Sequence, residues 1–280
     1  MADFQDMWSY LYMVNAFRAG LIVAVVCAVV GWFMVLRRQT FAGHTLSVAA
    51  FPGAALAVLA GFSTTLGYFG FCIAAALVIA ALNRKGREAG GEESAVTGTV
   101  QAFALACGFL FISLYKGLLE GPTALLFGDF LGITTGQVVT LAMVGAVVLA
   151  VLAVIGRPLL FATLDEAVAA ARGVPVRLLG FGFLALVGAT AGEATQAVGS
   201  LLLLGLLAAP AGAAIRLTDR PFRALALSAA LAVGEMWGGL LLSAAAPKLP
   251  PSFAIMATAS AVYAATFLIR PARAARPVPA

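Results

Sequence analysis

The sequence predicts an all-α fold, a polytopic transmembrane helical bundle, and three observations carry that reading. Of its 280 residues, 62% are hydrophobic and only 10% charged, against about 25% charged in an ordinary soluble domain. Apolar runs of roughly 20 residues, the length that carries a helix across about 30 Å of hydrocarbon, recur from end to end. None of the long Ala, Leu and Val runs alternates in polarity as the strands of a membrane barrel do. Helices are therefore the remaining way to satisfy every backbone group inside lipid.

The runs place nine spans, near Phe17 to Leu36, Leu46 to Phe62, Leu66 to Leu82, Ala95 to Tyr115, Gln137 to Ile155, Leu178 to Ala194, Val198 to Ile215, Ala224 to Ala245 and Phe253 to Ile269. Ahead of them, Met1 to Val14 is polar and aromatic, carries Asp3 and Asp6, and lacks the basic start of a cleavable signal. Cytoplasmic segments hold the excess of Lys and Arg. With the N-terminus outside, 14 basic residues fall inside, from Arg37 and Arg38 to Arg276, and 3 fall outside, namely Arg18, Lys116 and Lys248. The C-terminus is then cytoplasmic, and the localisation expected is a bacterial inner membrane. Basic residues at the ends of spans form no stripe for nucleic acid, so the net charge of +5 is a topology signal.

Residues 1–280 read as a single transmembrane domain with two distinctive connectors. Asn83 to Ser94 is charged and Gly-rich, as a solvated loop is. Arg157 to Arg177 contains an Ala-rich helical stretch that opens at Thr163 ahead of Asp165 and Glu166 and closes at Gly173, in the order N-cap, acidic first turn and C-cap. Such a helix outside the lipid has to dock onto another protein.

The chain has no phosphate loop, no HExxH and no GxSxG, so neither enzyme chemistry nor ATP hydrolysis is expected of it. Cys27, Cys72 and Cys107 lie within apolar runs as small packing residues. Ionisable residues at membrane depth point instead to a translocation pathway, because burying one in lipid costs at least a few kcal/mol. Glu193 and Glu235 qualify, and each is equally readable as a hydrogen-bonded packing residue. His44, the single histidine, begins the second span as an interfacial residue or a metal ligand, and a dimer would bring two copies to one axis. Asp129, in LLFGDFLG, lies in an outer segment where an acid is either simply solvated or draws cations. The stretches AAFPGAALA and LLAAPAGAA put proline inside spans, which frees carbonyls for tight packing or for a wet cavity.

Taken in order, several segments resemble the permease family of zinc and manganese ABC importers. LRRQTFAGHTLSVAAFPGAALA, Leu36 to Ala57, is similar to that family's Leu-Arg-Arg stretch followed by Gly-Asp-x-x-Ser-His and a Pro-Gly step. Glu93 to Ser113, Leu125 to Gly132, LDEAVAAARGVPV at Leu164 to Val176, and Gln196 to Ala214 resemble its later segments in the correct order. The resemblance implies that the 157–177 segment couples to a separate ATP-binding-cassette ATPase subunit through Asp165, Glu166, Ala170 and Gly173. It further implies a permease homodimer, an extracytoplasmic metal-binding protein, and a transported divalent metal in place of a fixed cofactor. The family's acid and histidine positions are His44 and Val48 here. Imidazole suits zinc better than manganese, so zinc is expected ahead of manganese. The alternatives are a permease for a siderophore-type or cobalamin-type chelate, and a secondary cation carrier using Glu193 or Glu235, which leaves the docking-type helix unexplained.

Overall fold

The computed structural model describes residues 10–82, 92–115, 132–246 and 248–269. Among these the chain is helical and without strands: α1 (Leu11–Leu36), α2 (Thr40–Ala60), α3 (Thr64–Leu82), α4 (Glu92–Leu114), α5 (Thr135–Leu164), α6 (Glu166–Ala171), α7 (Val176–Val198), α8 (Ser200–Leu217), α9 (Pro221–Ala245) and α10 (Pro251–Ile269). Eight are long and apolar enough to cross a membrane, and α8 adds the shorter apolar stretch Leu202–Leu217. These account for the nine expected spans.

The centre of the bundle is α1. It packs on α5, α7, α8 and α9, while α2, α3, α4 and α7 form a group on one side and α8, α9 and α10 another. Small residues make this possible, since lipid gives no hydrophobic drive to bring helices together and close backbone approach supplies the contact. A side chain on Gly31 of α1 would run into the backbone of Leu207 on α8, and Gly53 of α2 and Gly67 of α3 face each other backbone to backbone. The expected proline-broken stretches belong to these contacts. Pro52 lies within α2 beside Gly53, and Pro210 within α8 three residues beyond Leu207.

Several boundaries differ from the sequence reading: α1 and α2 each begin six residues before the expected spans, at Leu11 and Thr40, and two further differences bear on the connector after α5. α5 continues through Pro158 to Leu164, because one proline removes one hydrogen bond while the flanking turns still pair. Thr163 accordingly lies in its last turn, its hydroxyl donating to the Leu159 carbonyl at 2.7 Å. The residue that caps the short helix is Asp165, which accepts from the Val168 amide at 2.9 Å. At its other end the Val174 and Gly173 amides donate to the Ala169 and Ala170 carbonyls, both at 3.0 Å. This is the Schellman arrangement, which needs the left-handed φ of +81° that Gly173 adopts.

Candidate functional site

Burial of polar atoms without partners divides the bundle into two ends. Glu193 is 1% exposed and Glu235 is 2% exposed, and all four of their carboxylate oxygens lack hydrogen-bond partners among the described residues. Asn15 Oδ1, Thr195 Oγ1 and Ser200 Oγ are also buried and unpaired. These oxygens lie toward the end where α1 and α8 begin and α7 finishes. Toward the other end, where Arg37, Arg38, Arg157, Arg220 and Arg223 gather, the unpaired buried atoms are nitrogens, Trp32 Nε1 and His44 Nδ1. An unpaired buried polar group costs about 1–3 kcal/mol, and at this end of the bundle the packing of the described residues leaves a group of such oxygens unsatisfied.

Glu193 is held by α7 against α1 and α5. A Cβ on Gly145 of α5 would stand 3.3 Å from Glu193 Oε1 and 2.8 Å from the Val26 side chain, so the glycine makes room for the carboxylate. Beside it is a cavity of about 10 Å³ lined by Gln137, Thr140, Gln196 and Phe69 among others, space for about one water or one bare cation. Its walls are fixed: Gln196 accepts from Thr65 Oγ1 at 3.2 Å and donates to the Gly192 carbonyl at 3.2 Å. Above it, Asn15 Nδ2 donates to the Ile133 carbonyl at 3.2 Å and to Thr135 Oγ1 at 3.3 Å. Glu235 lies on the other side of α1, in α9. Thr258 of α10 donates to the Glu235 backbone carbonyl at 2.9 Å, and one turn further on Gly239 packs against the backbone of Ile255.

His44 stands in the first turn of α2, with Gly43 packed on Met34 and Thr45 donating to Gln101 of α4 at 3.0 Å. Val48, one turn later, is buried and offers no donor atom. Among the described residues no three His, Cys, Asp or Glu side chains converge on a metal position. Asp129 lies outside the described residues.

The segment Asp165 to Gly173 protrudes at the basic end. Leu164 and Val168 are exposed, Ala170 is exposed and Ala169 is buried. Arg37, at the C-cap of α1, donates to Thr163 Oγ1 at 3.3 Å and lies 5.6 Å from the Phe183 ring of α7. It thereby links the central helix to the base of the protruding segment. Sequence reasoning took Arg37 for a topology marker and passed over Asn15, Gln137 and Gln196, whose residue types carry no membrane signal of their own.

The matching family model, ABC 3 transport family, covers residues 9–270. The manganese transport system membrane protein MntC of Halalkalibacterium halodurans is 29% identical, over 96% of this chain and 90% of that protein. The chelated iron transport system membrane protein YfeC of Yersinia pestis is 30% identical, over 84% of this chain and 79% of that protein. Among solved structures, PsaBC from Streptococcus pneumoniae in complex with Fab matches with a TM-score of 0.84 at 26% identity, covering 96% of both chains. With the family match running from residue 9 to residue 270, the chain belongs to the ABC 3 transport family.

Proposed function

We propose that this permease imports a hard divalent cation, manganese ahead of iron or zinc, across a bacterial inner membrane by ATP-driven alternating access. The observation that carries the choice of ion is the set of unpaired oxygens around Glu193 and Glu235, since carboxylate, amide and hydroxyl oxygens suit manganese better than zinc. The order expected from His44 alone is thus reversed. The name of the Halalkalibacterium halodurans relative, a manganese transport system membrane protein, supports manganese, whereas that of the Yersinia pestis relative speaks for chelated iron.

In the mechanism we propose, an extracytoplasmic metal-binding protein delivers the ion to the oxygen-lined end. Glu193 and Glu235, flanking α1, replace part of its hydration shell, and the unpaired His44 Nδ1 meets it further along, with a second copy of the permease supplying a second His44. Asp129 would draw cations to the outer mouth. At the basic end, the α6 segment docks into a partner ATPase through Asp165, Glu166, Ala170 and Gly173. Closure of that partner reaches α1 through Thr163 and Arg37. A secondary carrier would have no use for a capped six-residue helix protruding from the bundle.

ATP-dependent uptake of manganese into vesicles holding the permease, its ATPase and its binding protein tests this reading. Zinc at the same concentration should compete weakly, and a chelate-bound iron complex should not compete. Asp165→Lys with Glu166→Lys should abolish transport-linked ATP hydrolysis, and His44→Ala should slow uptake. Unchanged hydrolysis in the double variant contradicts the docking assignment, and unchanged uptake in His44→Ala removes that residue from the pathway.

A further inference from the structure

At the basic end a groove of about 260 Å³ opens between α1, α5 and the start of α9. It is lined chiefly by Trp32 and Phe33, by Ala153, Gly156 and Arg157, and by Phe222. Its volume is many times what one water needs, and its walls are apolar apart from Arg157 and the indole of Trp32. The packing of the protein leaves it unfilled: Gly156 brings no side chain, Ala153 is exposed, and Phe222 is 66% exposed.

Depth and charge identify the occupant. Arg157 stands 22 residues beyond Thr135 in the unbroken α5, a rise of about 33 Å, so it reaches the headgroup level on the far side of about 30 Å of hydrocarbon. Arg220 and Arg223, both exposed, flank Phe222 at the start of α9 on the same rim, with Asp219 the neighbouring acid. An apolar slot with Arg157 in its wall, and with two exposed arginines on either side of the lining residue Phe222, matches one molecule that is apolar below and anionic above. The guanidinium fork suits a phosphate diester, and of the aromatic wall Phe222 is exposed while Trp32 and Phe33 are buried behind it.

We propose that this groove is a binding site for one anionic phospholipid of the basic-end leaflet, with its phosphate on Arg157 and one acyl chain between Trp32, Phe33 and Phe222. The site is separate from Glu193, Glu235 and His44, and it stands whether or not manganese is the cargo. A lipid seated here joins α1 and α5, the two helices that Arg37 and Thr163 tie together below it.

Native mass spectrometry of the delipidated full-length permease, titrated with phosphatidylglycerol or phosphatidylcholine of the same acyl chains, tests the proposal. The first bound lipid should favour phosphatidylglycerol about fivefold, the effect of one cation at a lipid surface. Arg157→Gln should bring the preference to near unity while lipid still binds, and Arg157→Lys should keep most of it. Ala153→Phe, which fills the slot from an exposed position, should remove one adduct of either lipid. Equal binding of the two lipids by the wild-type chain, an unchanged preference in Arg157→Gln, or an undiminished adduct count in Ala153→Phe would overturn the proposal. So would absence of the adduct from the dimeric species alone, since a second copy of the chain would then occupy the groove.

Discussion

α2 and α5 invert the rule that soluble proteins teach. The most apolar stretch of α5 has a mean hydropathy of 3.0 and is 28% buried, whereas that of α2 has 1.5 and is 78% buried. Lipid is as apolar as leucine, so hydropathy does not decide which helix goes inside; close backbone approach and hydrogen bonding do. α2 qualifies with Gly43, Gly53, Thr45 and Ser47, which respectively pack on Met34, pack on α3, bond to Gln101 and bond to its own turn. α5 turns Val147, Val154 and Leu164 outward, and its inner face is given to Gly145 and to contacts with α1 and α7. The proposed function follows the same division: the pathway assigned above runs through His44 and the two buried carboxylates, and the docking segment assigned above continues from the apolar, exposed α5.

If burial without hydropathy is right, the largest stability change should come from enlarging a small interior residue. Gly53→Leu has to force α2 and α3 apart at their backbone contact and should cost about 3 kcal/mol or more, read as a large fall in melting temperature in detergent. A Gly53→Leu variant that melts with the wild type would break the comparison. Gly173→Ala should cost about 1–2 kcal/mol locally, because alanine is strained at the left-handed φ of +81°; proteolysis at Arg172 or Arg177 should then quicken while global melting barely moves. The smallest effect should be at the 79% exposed Val154, where Val154→Ala should change stability by less than about 0.5 kcal/mol. A loss comparable to that of Gly53→Leu there would mean that α5 is covered by another polypeptide in detergent as well as in the membrane.

Span positions were legible in the sequence because length and apolar composition are local properties, and all nine expected spans overlap helices of the structure. The end of α5 was not, because Pro158 signals a break that the flanking turns override. The Asp165 cap was read two residues early, at Thr163, since both residue types cap helices and only the backbone extension at Asp165 (φ −148°, ψ 101°) separates them. Glu193 and Glu235 stood out as acids at membrane depth, but whether neighbours satisfied them was invisible from spacing. For Glu193 the answer depends on Gly145, Gln137 and Thr140, roughly fifty residues away in the chain and each unremarkable in isolation. The protruding helix was readable from its caps, and the link through Arg37 to Thr163 was not, because it joins positions 126 residues apart.

The most direct test measures manganese uptake and ATP hydrolysis together in the reconstituted transporter carrying Glu193→Gln, Glu235→Gln or both. Each neutral amide keeps the shape of the side chain and removes the charge. Losing one charged ligand of roughly 1.5–3 kcal/mol should lower uptake by about tenfold or more, while hydrolysis stimulated by the binding protein continues. Full manganese uptake in the double variant would contradict the assignment of these two carboxylates to the path of the ion.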